Sequence, residues 1–362
     1  MKNCVGIIAE FNPFTNGHAH FVKVIKELKN SPIVAVMSGS FVQRGEPAFA
    51  NKFLRAQTAV LGGVDLVLEL PTAWTLRSAE HFAKGGVTLL KATGLVDTIA
   101  CGTEHPEFDF SACAAKIKKS QPAIQTAIAN GKSYAQALKE AVPELPTEPN
   151  DILALEYTKA AQDIPLIYIP RLGKGYNDDT LDRFASASAV RRAWPKVMQA
   201  IPESTMNVLL GSCNYDINMF WRLVQYRLRM MTPADIAAAT TTTEGLESLL
   251  KKSQNCLTWE EALKQCSTKR YPLSRIRRLL CQLSLCQKRP MWEFAEPAYL
   301  RVLAFNDTGR KILKTMKETA TLPIITKPET LYSTDVAATD LLASLQGQPV
   351  GLDFTTSPKY LH

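Results

Sequence analysis

The sequence predicts an α/β fold in its first half, a parallel sheet covered by helices on both faces, followed by a mainly helical second half. Three observations predict it. Short, almost wholly apolar runs alternate with helical periodicity up to about Ala185. Such runs are what a strand buried on both faces requires. Beyond Ala185 the strand-like runs give way to helical patterns, and all of the net charge lies there.

The apolar runs are Val5–Glu10, Ile33–Met37, Val64–Leu70, Thr98–Cys101 and Leu166–Ile169. Helical patterns fall between the early ones at His18–Leu28, Asn51–Leu61 and Ala79–Ala92. An alanine-rich helical stretch runs from Phe110 to Ala141, and "PELPTEPND" breaks it with three prolines. A helix at Ile152–Ala161 precedes the last strand and its loop, "IPLIYIPRLGKGYNDD". Candidate helices then follow at Ser188–Ala193, Tyr215–Arg229 and Ile276–Leu285. The tail after Pro328 is short and mixed. In a sheet of this kind, ligands bind beyond the carboxyl ends of the strands, where strand order reverses.

With 362 residues, 46% apolar and 21% charged, the chain has room for two domains with cores of their own. No apolar run is long enough to cross a bilayer, and the residues before Val5 form no charged-then-apolar leader. The expectation is a cytoplasmic protein with no membrane association and no obligate protein partner. Its eight cysteines contain no CxxC pair and no zinc-type spacing, so they are expected to be buried small apolar side chains, with no metal site.

The charge is unevenly shared. Up to Phe184 there are 19 Lys+Arg and 19 Asp+Glu; from Ala185 onward there are 23 and 15. Lys264 to Arg289 holds eight cations and no acid. That asymmetry points to a polyanionic partner on the second half, although a solvated helix face gives the same signal.

The segment "NPFTNGH", Asn12 to His18, lies between the first strand and the first helix. A glycine there lets a phosphate approach the backbone, and the free N–H groups of a helix start favour an anion. His18 can add a ring donor. The T-x-G-H arrangement, Thr15 to His18, resembles the motif of HIGH-type nucleotidyltransferases. A second element of such enzymes, roughly I-S-S-T-x-I-R, is matched by "ASASAVRRA", Ala185 to Ala193, with Ser186, Ser188 and Arg191 in place and Ala187 where the pattern has serine. The serines can cap the helix and meet phosphate oxygens, and Arg191 can neutralise a leaving diphosphate.

Six blocks extend the resemblance over nearly the whole chain. They are "VGIIAEFNPFTNGHAH", "MSGSFVQRGEPAFANKFLRAQTAVLGGVDLVLELP", "PNDILALEY", "RLGKGYNDD", "KRYPLSRIRRLL" and "YLRVLAFNDTGRKIL". Together they resemble the bacterial tRNA(Met) cytidine acetate ligases, although Thr15 stands where that family often carries histidine. The resemblance implies a Rossmann-like nucleotidyltransferase domain over residues 1–190 and a mainly helical, basic, tRNA-binding domain over 191–362. It implies an enzyme that joins acetate to ATP as acetyl-adenylate, then passes the acetyl group to N4 of the wobble cytidine of elongator tRNA(Met). ATP is a substrate, Mg2+ would accompany it, and no tightly bound cofactor is implied.

The implied ATP-binding residues are Ile7, Ile8, Ala9, Glu10, Phe11, Asn12, Pro13, Phe14, Thr15, Asn16, Gly17, His18, Ala19, His20, Gly102, Asn150, Arg171 and Leu172, with Ser186 and Ser188 from the second motif. His18 and Arg191 are the candidate catalytic pair. From charge and periodicity alone, Lys269, Arg270, Arg275, Arg277 and Arg278 are the candidate tRNA contacts, on a helix whose Ile276, Leu279, Leu280 and Leu283 would pack inward. Arg44 and Lys52 are candidates for holding the second ligand, with Gly39 and Gly45 allowing their loop to move as a lid. His81, Glu104 and His105 could line the cleft, although polar residues near strand ends are often just solvated, and they are left out of the site. Two other readings stay open: an adenylyltransferase acting on a small phosphorylated metabolite, and a nucleotide-responsive RNA-binding protein that has lost catalysis.

Overall fold

The computed structural model describes residues 3–132, 134–173, 180–211, 215–243, 245–268, 271–296, 298–328 and 334–362. The strands are β1 (Cys4–Ala9), β2 (Ile33–Ser38), β3 (Phe41–Val42), β4 (Glu46–Pro47), β5 (Leu66–Leu70), β6 (Val96–Thr103), β7 (Leu166–Pro170), β8 (Leu300–Asn306), β9 (Ile324–Ile325) and β10 (Lys359–Leu361). Helices of the first half are α1 (Asn16–Lys29), α2 (Lys52–Leu61), α3 (Thr72–Thr75), α4 (Ala79–Ala92), α5 (Phe110–Ala129), α6 (Tyr134–Ala141) and α7 (Pro149–Ala161). Those of the second half are α8 (Ala187–Ala193), α9 (Glu203–Leu209), α10 (Ile217–Met230), α11 (Pro233–Ala239), α12 (Leu246–Lys252), α13 (Trp259–Cys266), α14 (Leu273–Ser284), α15 (Arg289–Glu293), α16 (Asp307–Thr319), α17 (Thr334–Leu345) and α18 (Leu352–Thr355).

The mostly parallel sheet runs β10-β8-β5-β2-β1-β6-β7. Every residue of β2 and β5 is buried, as expected of strands covered on both faces. The order leaves β1 in one direction through β2 and β5, and in the other through β6 and β7. The reversal therefore lies between the carboxyl ends of β1 and β6, where such sheets bind ligands. Asn51 caps α2 by accepting from Leu54 N, and Asp109 caps α5 by accepting from Ala112 N.

The second half does not stand apart at residues 190/191. Strand β8 lies antiparallel beside β5, with Leu66 opposite Phe305, and β10 pairs parallel with β8. Without β8, the outer edge of β5 would leave backbone donors and acceptors unpaired. The core of the helical part, with Phe220, Trp221, Trp259, Ile276, Leu279, Leu280 and Trp292, also includes Phe41, Ala73 and Leu76 from the first half. Cys4, Cys101, Cys113, Cys266 and Cys281 are buried, whereas Cys286 is exposed. Among the described residues, no helix is long and apolar enough to cross a membrane.

A charged cluster locks the returning tail to the sheet. Lys52 Nζ is fully buried, 2.7 Å from Glu69 Oε1 and 2.8 Å from Asp353 Oδ1, and Arg301 Nη2 lies 3.1 Å from the same Asp353 oxygen. Lys52 is therefore a structural cation, and the expectation that it meets a ligand is corrected. Lys52→Met leaves Glu69 buried without its paired cation and Asp353 with Arg301 alone, and such a loss costs about 3–5 kcal/mol. The expected result is a much lower urea midpoint with an unchanged slope.

Candidate active site

The first loop explains how the chain holds His18. Phe11 has φ +44, an unfavourable region for a non-glycine residue, and its ring is buried. The Phe11 and Phe14 rings lie 5.2 and 5.6 Å from the His18 ring and fix its plane. Thr15 N donates to His18 Nδ1 at 3.0 Å, and Thr15 Oγ1 lies 3.1 Å from the same nitrogen. A backbone amide can only donate, so Nδ1 carries a lone pair and the neutral ring keeps its proton on Nε2. Burial, then the positive charge of Arg171, pushes the His18 pKa down to about 3. The imidazole is a neutral N–H donor at physiological pH.

Gly17 is the second helical residue. A Cβ built there would meet Thr15 Oγ1 at 3.6 Å and Leu172 O at 3.9 Å, which are ordinary contacts. Nothing in the protein itself demands glycine, which costs a helix about 1 kcal/mol relative to alanine. The open side of Gly17 faces the cleft.

That cleft has a volume of about 390 Å³, within the range of small-molecule sites. Ile8, Ala9, Glu10, Phe11, Asn12, Thr15, Gly17, His18 and His20 form its floor. The ends of β6 and β7 supply Cys101, Gly102, Arg171 and Leu172, and α7 supplies Asn150 and Tyr157. Phe184, Ala185, Ser186, Ala187 and Arg191 form a further wall. The topology thus gathers both motifs at the switch point.

Several residues of the expected ATP set do not line this cleft. Ile7 and Phe14 are core side chains. Asn16 Nδ2 donates to Arg183 O and Gln199 O, tying the helix start to a distant segment. Pro13, Ala19 and Ser188 are also absent from the wall. Ser188 is buried, its hydroxyl 2.9 Å from Ser186 Oγ, while Ser186 caps α8 by accepting from Ala189 N at 3.1 Å. Of the two serines of the second motif, Ser186 lines the cleft and Ser188 does not.

Arg191 reaches back to the first loop. Its Nη1 donates to Asn12 O at 2.7 Å and its Nη2 to Glu46 Oε1 at 2.9 Å. Opposite, Glu104 organises the β6 end. It accepts from Asn150 Nδ2, and its Oε1 lies 3.7 Å from Arg171 Nε. Asp151 accepts from Glu104 N and His105 N and pairs with His105 Nδ1 at 2.6 Å. The motif "PND" is therefore a clamp on the loop after β6. Paired Asn-Asp at a helix start was the available signal.

The basic segment forms part of this wall. Ser274 and Arg278 of α14 line the cleft, and Arg278 Nη1 donates to Gln43 O at 3.3 Å. Burial, then the charge of Arg275, pushes the Arg278 guanidinium down to about 10. Ile276, Leu279, Leu280 and Leu283 are buried as the periodicity required. Arg275 donates to Thr243 Oγ1 at 3.0 Å and lies over the Tyr271 ring, and Arg277 is half-buried. Lys269 and Arg270 lie outside the described residues.

The loop expected to act as a lid carries Gln43, Arg44 and Glu46 into the cleft. Its glycines serve close packing. Gly45 has φ +82, and a Cβ there would strike the backbone of Arg277. At Gly39 a Cβ would strike the Glu69 carboxylate.

Fold and site define a nucleotide-transferring enzyme of the HIGH class: the family model described as HIGH Nucleotidyl Transferase matches residues 1–350, and the chain belongs to that family. The tRNA(Met) cytidine acetate ligase of Leuconostoc mesenteroides is 37% identical over 346 residues, covering 89% of this chain and 88% of that protein. The enzyme of the same name from Clostridium novyi is 34% identical over 400 residues, covering 99% and 100%. Within the HIGH family the chain belongs with the tRNA(Met) cytidine acetate ligases. The crystal structure of apo Thermotoga maritima TmcAL matches with a TM-score of 0.91 at 29% identity over 99% of each chain. The same protein bound with alpha-thio ATP matches at 0.89 over the same coverage.

Two measurements test the His18 corner. Gly17→Ala is expected to hold or slightly raise the melting temperature while weakening ATP binding at least about tenfold, by blocking phosphate approach. Ring 15N shifts should show His18 in the Nε2–H tautomer from pH 8 to below pH 5. Because its folded pKa of about 3 lies below the unfolded value, the unfolded chain binds the proton first. The His18 contribution to stability is therefore complete above about pH 6.5 and declines as pH falls toward 3.

Proposed function

We propose that this chain is an ATP-dependent acetate ligase that makes acetyl-adenylate and transfers its acetyl group to N4 of the wobble cytidine of elongator tRNA(Met). The observation that carries the reading is one cleft at the carboxyl ends of β1, β6 and β7, walled by His18, Arg171 and Arg191 and flanked by the basic helix α14. The names of its relatives support the RNA substrate, and alpha-thio ATP on a solved relative supports the nucleotide.

In the first half-reaction an acetate oxygen attacks the α-phosphorus and pyrophosphate departs. His18 offers a neutral N–H to the phosphates, and Arg191 and Arg171 offset the charge growing on the leaving group. The contacts from Asn12 and Glu46 hold Arg191 before substrate arrives, so little reorganisation is left for the reacting complex. Mg2+ is proposed to enter with the triphosphate. Among the described residues no cluster of three or more His, Cys, Asp or Glu side chains is placed to hold a metal ion.

In the second half-reaction a splayed wobble cytosine enters the same cleft. Cations of the segment around α14 position the RNA through its phosphates. We divide the labour accordingly, with the nucleotide held largely by residues before 192 and the tRNA by the basic helices after them, within one protein of the cytoplasm. An adenylyltransferase acting on a small phosphorylated metabolite leaves the cationic α14 wall without a role.

The test is acetate-dependent ATP–pyrophosphate exchange followed by transfer of labelled acetate to tRNA(Met). Exchange that depended on a phosphorylated metabolite instead of acetate would overturn the reading. His18→Ala should lower exchange by about 10²–10³-fold. Arg275→Gln should lower transfer about tenfold more than exchange, whereas Arg278→Gln, which alters the cleft wall itself, should lower both.

A further inference from the structure

Acetylation of N4 releases a proton, and the group that receives it must lie in the cleft with a free lone pair. Among the described lining residues the carboxylates are Glu10 and Glu46. Glu46 is engaged by Arg191 at 2.9 Å. Glu10 directly follows β1, at the switch point. Its Oε1 accepts from Gln43 N at 2.6 Å, while its Oε2 meets no donor among the described residues.

Apart from the His20 imidazole, which the test below addresses, the other groups on the wall are poor acceptors. The accepting nitrogen of His18 is taken by Thr15 N, and its second nitrogen bears the proton. Burial first raises the Tyr157 phenol well above its ordinary value, so it is a proton holder at neutral pH. The guanidinium groups of Arg44, Arg171, Arg191 and Arg278 have no lone pair to offer.

We infer that Glu10 is the base that accepts the N4 proton during acetyl transfer, an inference that rests on the acetate-ligase reading. The N4 lone pair bonds to the acyl carbon, the bond from that carbon to the phosphate oxygen breaks, and AMP leaves with the electron pair. The N4 proton passes to Glu10 Oε2 and from there to solvent. The Gln43 amide holds one carboxylate oxygen so that the other keeps a constant direction, which a proton acceptor needs more than strength.

The surroundings also raise its basicity. Burial pushes the Glu10 carboxyl up, against the Gln43 amide and the charges of Arg44 on the β3–β4 turn, Arg191 on α8 and Arg55 on α2. Tyr157 of α7 faces it as well. A carboxylate moved upward toward neutrality is a better base at the working pH.

Glu10→Gln keeps an acceptor for Gln43 N and removes the base. The unaltered protein is measured first; failure of exchange or transfer there would count against the ligase reading itself. In E10Q, single-turnover transfer from preformed acetyl-adenylate to tRNA(Met) is expected to fall at least about 100-fold. That fall should exceed the loss of acetate-dependent exchange at least about tenfold, and the acid limb of the transfer pH profile should vanish. Glu10→Asp, with its carboxylate set back, should be slow but retain that limb. Comparable losses in both half-reactions, a smaller fall in transfer, or an acid limb that survives in E10Q would overturn the assignment. So would loss of the limb in His20→Gln with E10Q retaining it, since His20 is the second imidazole of the lining.

Discussion

The guanidinium of Arg55, fully buried on α2, gathers the parts of the site. Its Nε donates to Ala50 O at 3.1 Å, and its two terminal nitrogens donate to the carbonyls of Glu10, Ser38 and Gly39. Backbone leaving β1 and backbone leaving β2 are thereby drawn onto one cation. Burial pushes that cation down to about 10, and its charge persists because each of its three nitrogens donates to a carbonyl oxygen. With those two exits held together, Gln43 N reaches Glu10 and Phe49 N reaches Asn12 Oδ1 at 2.7 Å. The first loop can then leave the apolar strand abruptly at Asn12-Pro13 while Gly17 and His18 open the helix at the floor of the cleft.

Charge in this molecule is arranged by depth. Around the cleft, Arg171, Arg191 and Arg278 line the space a polyanion would fill, and the rings of Phe11 and Phe14 back the neutral His18. A layer away, Lys52 and Arg301 are neutralised by Glu69 and Asp353 and contribute to the joining of the tail, not to ligand binding. The two kinds of cation have the same letters in the sequence and opposite uses.

That distinction marks what could be read from the chain alone. Helices such as Ala79–Ala92 coincide with the periodicity because one buried stripe encodes each of them directly. The switch-point cleft was legible because the turn residues of the first motif follow the first apolar run. Strand β8 was not, since "LRVLAF" sits among helical patterns and only the vacant edge of β5 makes it a sheet strand. Lys52 looked like a loop cation because its partner Asp353 is near the other end of the chain. Arg278 shared the face pattern of a solvated helix, and its place in the cleft depends on how α14 meets the β3–β4 turn. Sequence periodicity reports which side of an element is apolar, but not what stands opposite the polar side.

Where Gly45 sits, the bend of the hairpin touches the main chain of Arg277 and Arg278 with no side chain between them to yield. Two rigid bodies meeting without a cushion transmit displacement. Any tilt that an RNA imposed on α14 would be felt at Gln43, whose amide grips Glu10 and whose carbonyl is held by Arg278. Linkage works in both directions, so an adenylate that favoured one setting of the hairpin would alter the affinity for RNA by the same factor. Anticodon and activated acyl group would then each report the other's arrival through a bare contact of peptide on peptide.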